Sequence, residues 1–111
     1  MNLSKFCRIS AIPMKEPNSE ISVIGMIKSM KFVDMSNKNK IKFSSTICDP
    51  ISGYEIDLLL FLNAHEKPPE KGAIGFLHNY QLFKQNNVWR LNSNYKSYFR
   101  EEKSFKDELT S

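Results

Sequence analysis

From Ile21 onward the chain alternates. Ile21, Val23, Gly25 and Ile27 share one parity, and Ser22, Ile24, Met26 and Lys28 share the other. A period of two is the signature of a strand with one buried face. Gly25 inside the pattern predicts a bulge or a sharp bend. A second strand follows, with Ile41, Phe43, Ser45 and Ile47 alternating with Lys42, Ser44, Thr46 and Cys48. In a third, Tyr54, Ile56, Leu58 and Leu60 oppose Glu55, Asp57, Leu59 and Phe61, an outward set that begins charged and ends apolar. The stretch Gly72–Asn94 reads as two more extended segments folded back about Gln85-Asn86-Asn87. In the first of these, Ile74, Phe76, His78, Tyr80 and Leu82 are expected to face inward. Gly75, Leu77, Asn79, Gln81 and Phe83 then face the other way. On the return segment either Val88 or Trp89 must point outward.

The connections are equally legible. Residues 1–18 carry Pro13 and Pro17 and read as an N-terminal arm with a short strand over Phe6–Ile12. Asp34–Lys40 is a polar loop and Asp49–Gly53 a turn. Asn63–Gly72, with Pro68-Pro69, is irregular, with room for one helical turn. Tyr95, Tyr98, Phe99, Phe105 and Leu109 stand at near-helical spacing and predict a C-terminal helix. The expected layout is an arm (1–18), a barrel (19–99) and a helix end or linker (100–111). Five strands, a short irregular element after the third and a terminal helix describe an all-β OB-fold barrel. A β-sandwich would need more strands.

A chain of 111 residues is one domain, with an ordinary 41% of hydrophobic and 25% of charged residues. Its net charge of +4 favours an anionic partner. The excess is local: between Ile21 and Cys48, Lys28, Lys31, Lys38, Lys40 and Lys42 face a single Asp34. Cys7 and Cys48 are too few for a disulfide framework, so a reducing compartment is expected. The apolar run Leu58–Leu62 is too short to span a bilayer, and Met1–Ser10 does not read as a signal peptide. No membrane partner is expected. The retention-like Lys106–Leu109 is followed by Thr110 and Ser111 and is set aside.

Catalysis finds little support. His65 and His78 stand in different elements, and no metal-ligand, nucleophile-elbow or phosphate-loop spacing occurs. Glu55 and Asp57 share a strand face but read as a solvated face. No enzymatic activity, metal or cofactor is expected. Binding fits better, because unpaired nucleic acid is held by cations along a groove and by aromatic faces under the bases. Lys28, Lys31, Lys40 and Lys42 flank the first loop, and Phe61 ends the third strand on its outer face. Phe83, Trp89 and Arg90 surround the last hairpin. The plainer alternatives are solubilising lysines, a core Phe43, a core Trp89 and a structural His78.

These motifs carry a resemblance. Gly25-Met-Ile-Lys28-Ser-Met-Lys31, Thr46-Ile-Cys-Asp49, Leu59-Leu-Phe61 and Gly72-Ala-Ile74…His78, in that order, resemble the first OB domain of the telomere end-binding (protection-of-telomeres) proteins. The likeness runs over Ile21–Phe99. It implies binding of G-rich telomeric single-stranded DNA at chromosome ends in the nucleus, alongside other telomere-capping proteins. By position, Lys31, Asn39 and Lys40 would meet DNA, Phe61 would stack on a base, and Phe83, Gln85 and Asn87 would line the groove. The chain departs from the pattern at Ser29, Asp34, Ala73, Asn79 and Gln81. Phe32 stands next to Lys31, where it could replace the ring missing at Ser29. The alternative expectation is a protein-interaction subunit of a capping or single-strand-binding complex. It would pair through Tyr95, Tyr98, Phe99 and Phe105 or through the outer barrel face.

Overall fold

The computed structural model describes residues 6–37 and 40–104. Its strands are β1 (Phe6–Arg8), β2 (Glu20–Asn37), β3 (Lys40–Cys48), β4 (Glu55–Asn63), β5 (Ile74–Gln85), β6 (Val88–Asn92) and β7 (Tyr98–Glu101). They form one sheet in the order β1-β2-β3-β4-β6-β5-β7, and β2 also pairs with β5. That pairing closes β2–β6 into a five-stranded barrel of the OB type. β4 and β6 run parallel, and the other pairings within the barrel are antiparallel.

The alternating sets send their apolar halves inward. Val23, Ile27, Ile47, Ile56, Leu58, Leu60, Leu82 and Leu91 are buried in one cluster. Each contributes roughly 1.5–3 kcal/mol by leaving water. The expected strand over Phe6–Ile12 ends at Arg8, and Ile9–Met14 is a 3-10 turn. Its Ile9 and Ile12 are fully buried in the barrel core. Gly25 makes room for the first of them, because a Cβ there would lie 2.7 Å from Ile9 Cδ1.

One register differs from the alternation. Ile21 pairs with Tyr80, but Val23 pairs with Leu77, so β5 carries an extra residue opposite Ser22. Asn79 takes a φ of 62°, a region Asn tolerates, and its N–H donates to Ser22 Oγ at 3.0 Å. This bulge exchanges the faces of β5 halfway along. Leu77, Tyr80 and Leu82 therefore face the core together. Ile74, Phe76 and His78, expected inside, turn to the outer side and are buried there by the terminal strands. Phe6 of β1 packs on Phe76 and His78, with centroids 4.6 and 4.8 Å apart. Tyr98 of β7 stacks on His78 at 4.1 Å, nearly parallel, and the Arg100 guanidinium lies 4.7 Å from the Phe76 centroid.

The C-terminal helix expected from Tyr95 is replaced, over its first part, by a turn and β7. Tyr98–Glu101 pairs with Gly75–His78. The free edge of β5 supplies backbone partners that a short isolated helix could not match. Tyr98 and Phe99 then point to opposite faces, one onto His78 and the other toward the core. Lys103 and Ser104 are helical; Phe105 and Leu109 lie outside the described residues. The last hairpin turns where expected, with Asn86 and Asn87 at positive φ (52° and 63°), as a tight primed turn demands.

A buried carboxylate ties the N-terminal strand to the β3–β4 turn. Asp49, 1% exposed, accepts from Arg8 Nε and Nη2 at 2.9 Å each. It also accepts from the Ile51 and Ser52 N–H groups at 2.9 and 3.0 Å. The Arg8 hydrogen bonds, helped by these N–H groups and opposed by burial, hold its carboxyl well below the usual range.

Two outcomes are expected. Asp49→Ala should lower stability by about 2–3 kcal/mol in urea unfolding, because it strips partners from Arg8 and two turn N–H groups. The ionised form is favoured in the fold, so this stabilisation is present above about pH 4 and is lost as pH falls further. The variant's unfolding should accordingly be less acid-sensitive than the parent's. Gly75→Ala would drive a Cβ into the Arg100 carbonyl oxygen. It should push β7 off β5 and cost about 1–3 kcal/mol, read by thermal melting.

Candidate nucleic-acid interface

The strand pairings assemble the outer face row by row. Lys31 pairs with Ser44, Ser44 with Leu59, and Leu59 with Asn92. The next row runs Ser29, Thr46, Asp57, Arg90, Phe83 across five strands. On the other side of the first row, Asp34 pairs with Lys42 and Lys42 with Phe61. Paired residues share a face, so Lys31, Lys42, Phe61, Phe83 and Arg90 lie on one continuous surface. Phe61 is half-buried and held in place: its N–H donates to Ser93 Oγ at 2.8 Å, and Lys42 Nζ stands 6.0 Å from its ring centroid.

The remaining candidates are placed less favourably. Lys28 donates to both Glu55 carboxylate oxygens, at 2.9 and 2.7 Å. The pair raises the lysine's pKa but offsets its charge. Phe32 belongs to the opposite parity. It pairs with Phe43, with ring centroids 6.1 Å apart, and is 55% exposed. Lys40 stands at the mouth of the β2–β3 loop, and Asn39 lies outside the described residues. Trp89 packs against the barrel core with Lys84 Nζ 5.0 Å over its ring, while Val88 is the outward residue of β6. Gln85 lies beside Phe83 and Arg90, and Asn87 sits at the hairpin tip.

Two hollows mark this end of the face. One of about 340 Å³ is bounded by Asp57, Phe83, Gln85, Asn86, Val88 and Arg90. Arg90 Nε is buried there with no hydrogen-bond partner among the described residues. The other, about 390 Å³, includes Thr46, Tyr54 and Asn87. A larger hollow of about 820 Å³ opens at the far end of the barrel. It lies between Phe61, the Pro68-Pro69 segment and Tyr95–Phe99. Asp57 is the residue that the sequence reading undervalued. Its parity already placed it on the face of Phe61, but only the parallel β4–β6 pairing sets it beside Arg90.

No protein-family model matches the chain, and no curated protein matches it. Solved structures do. The OB domain of Ta0387 from Thermoplasma acidophilum is 19% identical with a TM-score of 0.64, covering 89% of this chain and 88% of that one. The HINa domain of Ifi202, solved in complex with a 20-base-pair duplex DNA, has a TM-score of 0.67 at 21% identity. That match covers 88% of this chain and 47% of the other. The second OB-fold domain of replication protein A from Methanococcus maripaludis has a TM-score of 0.61 at 13% identity, covering 87% and 96%. At these identities the likeness establishes the fold: this is an OB-fold domain.

Trp89 separates packing from binding. Trp89→Ala should cost about 3 kcal/mol of stability in urea unfolding. A variant of unchanged stability would mean that the indole is held at the surface for a ligand.

Proposed function

We propose that this domain binds single-stranded nucleic acid across the outer face of β3, β4 and the β5–β6 hairpin, without chemical transformation. One observation carries the reading: Lys31, Lys42 and Arg90 share that face with the rings of Phe61 and Phe83. Among the described residues none of these three cations is held in an ion pair. Cations neutralise phosphates, and exposed ring faces suit unpaired bases, whose own faces a duplex would hide. The fold relatives support nucleic acid as the class of partner, one having been solved on DNA and another belonging to replication protein A. The resemblance over Ile21–Phe99 narrows the proposal to G-rich telomeric single strands. With it come a place at chromosome ends in the nucleus and company with other capping proteins.

A titration of a G-rich telomeric oligonucleotide, its scramble, the matching RNA and a duplex, at two salt concentrations, tests this. With three cations engaged, log K should fall against log salt with a slope of about −2. Phe61→Ala should weaken binding about tenfold while the fold is kept. Unaltered affinity in that variant, or equal preference for the duplex, would refute the reading. A protein-interaction role is the second reading, and the 92% exposure of Tyr95 and 51% exposure of Tyr98 favour it.

A further inference from the structure

We propose that Asp57 and Arg90 form a subsite that reads the Watson–Crick edge of one unpaired guanine. The inference rests on the nucleic-acid reading above and adds the residues that select the base. Asp57 is an exposed anion on the face that carries Lys31, Lys42 and Arg90. It pairs in register with Arg90, which pairs in turn with Phe83. On its own strand it lies two same-face positions from Phe61. A base stacked on Phe83 lies one strand spacing from Arg90 and two from Asp57. Phosphate is repelled there, and only a base edge rich in N–H donors is welcome.

Guanine supplies that edge. Its N1–H and its N2 amino group stand side by side and can donate together to one carboxylate. The adjacent O6 accepts, and a guanidinium can donate to it. Asp57 and Arg90, on neighbouring strands about 4.8 Å apart, offer acceptor, acceptor and donor in a row. Adenine and cytosine would set a ring-nitrogen lone pair against the carboxylate. Thymine would flank its single N–H with two carbonyl oxygens. Both protein groups have capacity to spare. Among the described residues Asp57 forms no ion pair, and Arg90 Nε has no hydrogen-bond partner. The hollow of about 340 Å³ that they share is walled by Phe83, Gln85 and Val88. Phe83, 36% exposed, offers its ring to the base plane.

Fluorescence anisotropy on a labelled oligothymidylate of about 12 nucleotides tests the assignment. The central position is guanine, hypoxanthine (which lacks the N2 amino group), adenine or thymine. Wild type should prefer guanine over adenine and thymine by about tenfold, with hypoxanthine intermediate. Asp57→Asn should bind the all-thymine strand more tightly, because a repulsive charge is gone. Its guanine preference should fall below about threefold. Thermal melting confirms that this exposed substitution leaves the fold intact. Wild-type binding without base preference, or a preference that survives Asp57→Asn, overturns the subsite and leaves the nucleic-acid reading standing. Failure of wild type to bind any of the four strands or the G-rich telomeric oligonucleotide overturns both.

Discussion

The molecule depends on β2 giving hydrogen bonds along both of its edges. From Met26 to Asn37 it pairs with β3, and from Glu20 to Met26 with β5. β1 occupies the rest of the β3-side edge, at Ser22–Ile24. A single strand serving both halves of a barrel must bend where it is handed over. Gly25 sits at that point, with Ile9 tucked against its bare backbone. The Ser22–Asn79 bulge takes up the remaining mismatch. Among the described residues, closure in this manner leaves the outer faces of β3 and β4 uncovered, with the β5–β6 hairpin standing beside them.

Period-two alternation revealed the five barrel strands, because each has one buried face. Most connecting turns were visible in their Asn, Asp, Gly and Pro residues, but the loop expected over Asp34–Lys40 is strand as far as Asn37 and again from Lys40. What escaped the sequence were features set by partners far along the chain. Phe76 and His78 look like core residues and are buried, but in a small outer cluster under β1 and β7. Nothing local announces that Asn79 adopts a left-handed conformation. Tyr98–Glu101 has helical spacing, and only the open edge of β5 makes it a strand. For the candidate site, strand parity assigned Lys42 and Phe61 to the outer face, whereas Lys31 reaches it only through the register shift between Ile27 and Ser29. Parity could not reveal that Glu55 occupies Lys28, nor that the parallel β4–β6 pairing brings Asp57 to Arg90.

The face is mixed in charge. Glu55 cancels Lys28, Asp34 stands beside Lys42, and Asp57 stands beside Arg90. Lys31, Lys42 and Arg90, without ion-pair partners among the described residues, give modest attraction, which salt screens over about 10 Å. Long-range steering of a polyanion by such a surface is therefore weak. Acidic neighbours among the cations lower non-specific binding to any polyanion and leave discrimination to short-range contacts.

The imidazole of His78 has the Tyr98 ring parallel to it at 4.1 Å and the Phe6 ring edge-on at 4.8 Å. Its carbon-bound protons consequently sit in the ring currents of two aromatic groups, one from each end of the chain. Their magnetic resonance frequencies form a built-in gauge of whether both terminal strands are docked. Because the barrel interior lies on the other side of β5, that gauge registers the seating of the ends separately from the integrity of the central core.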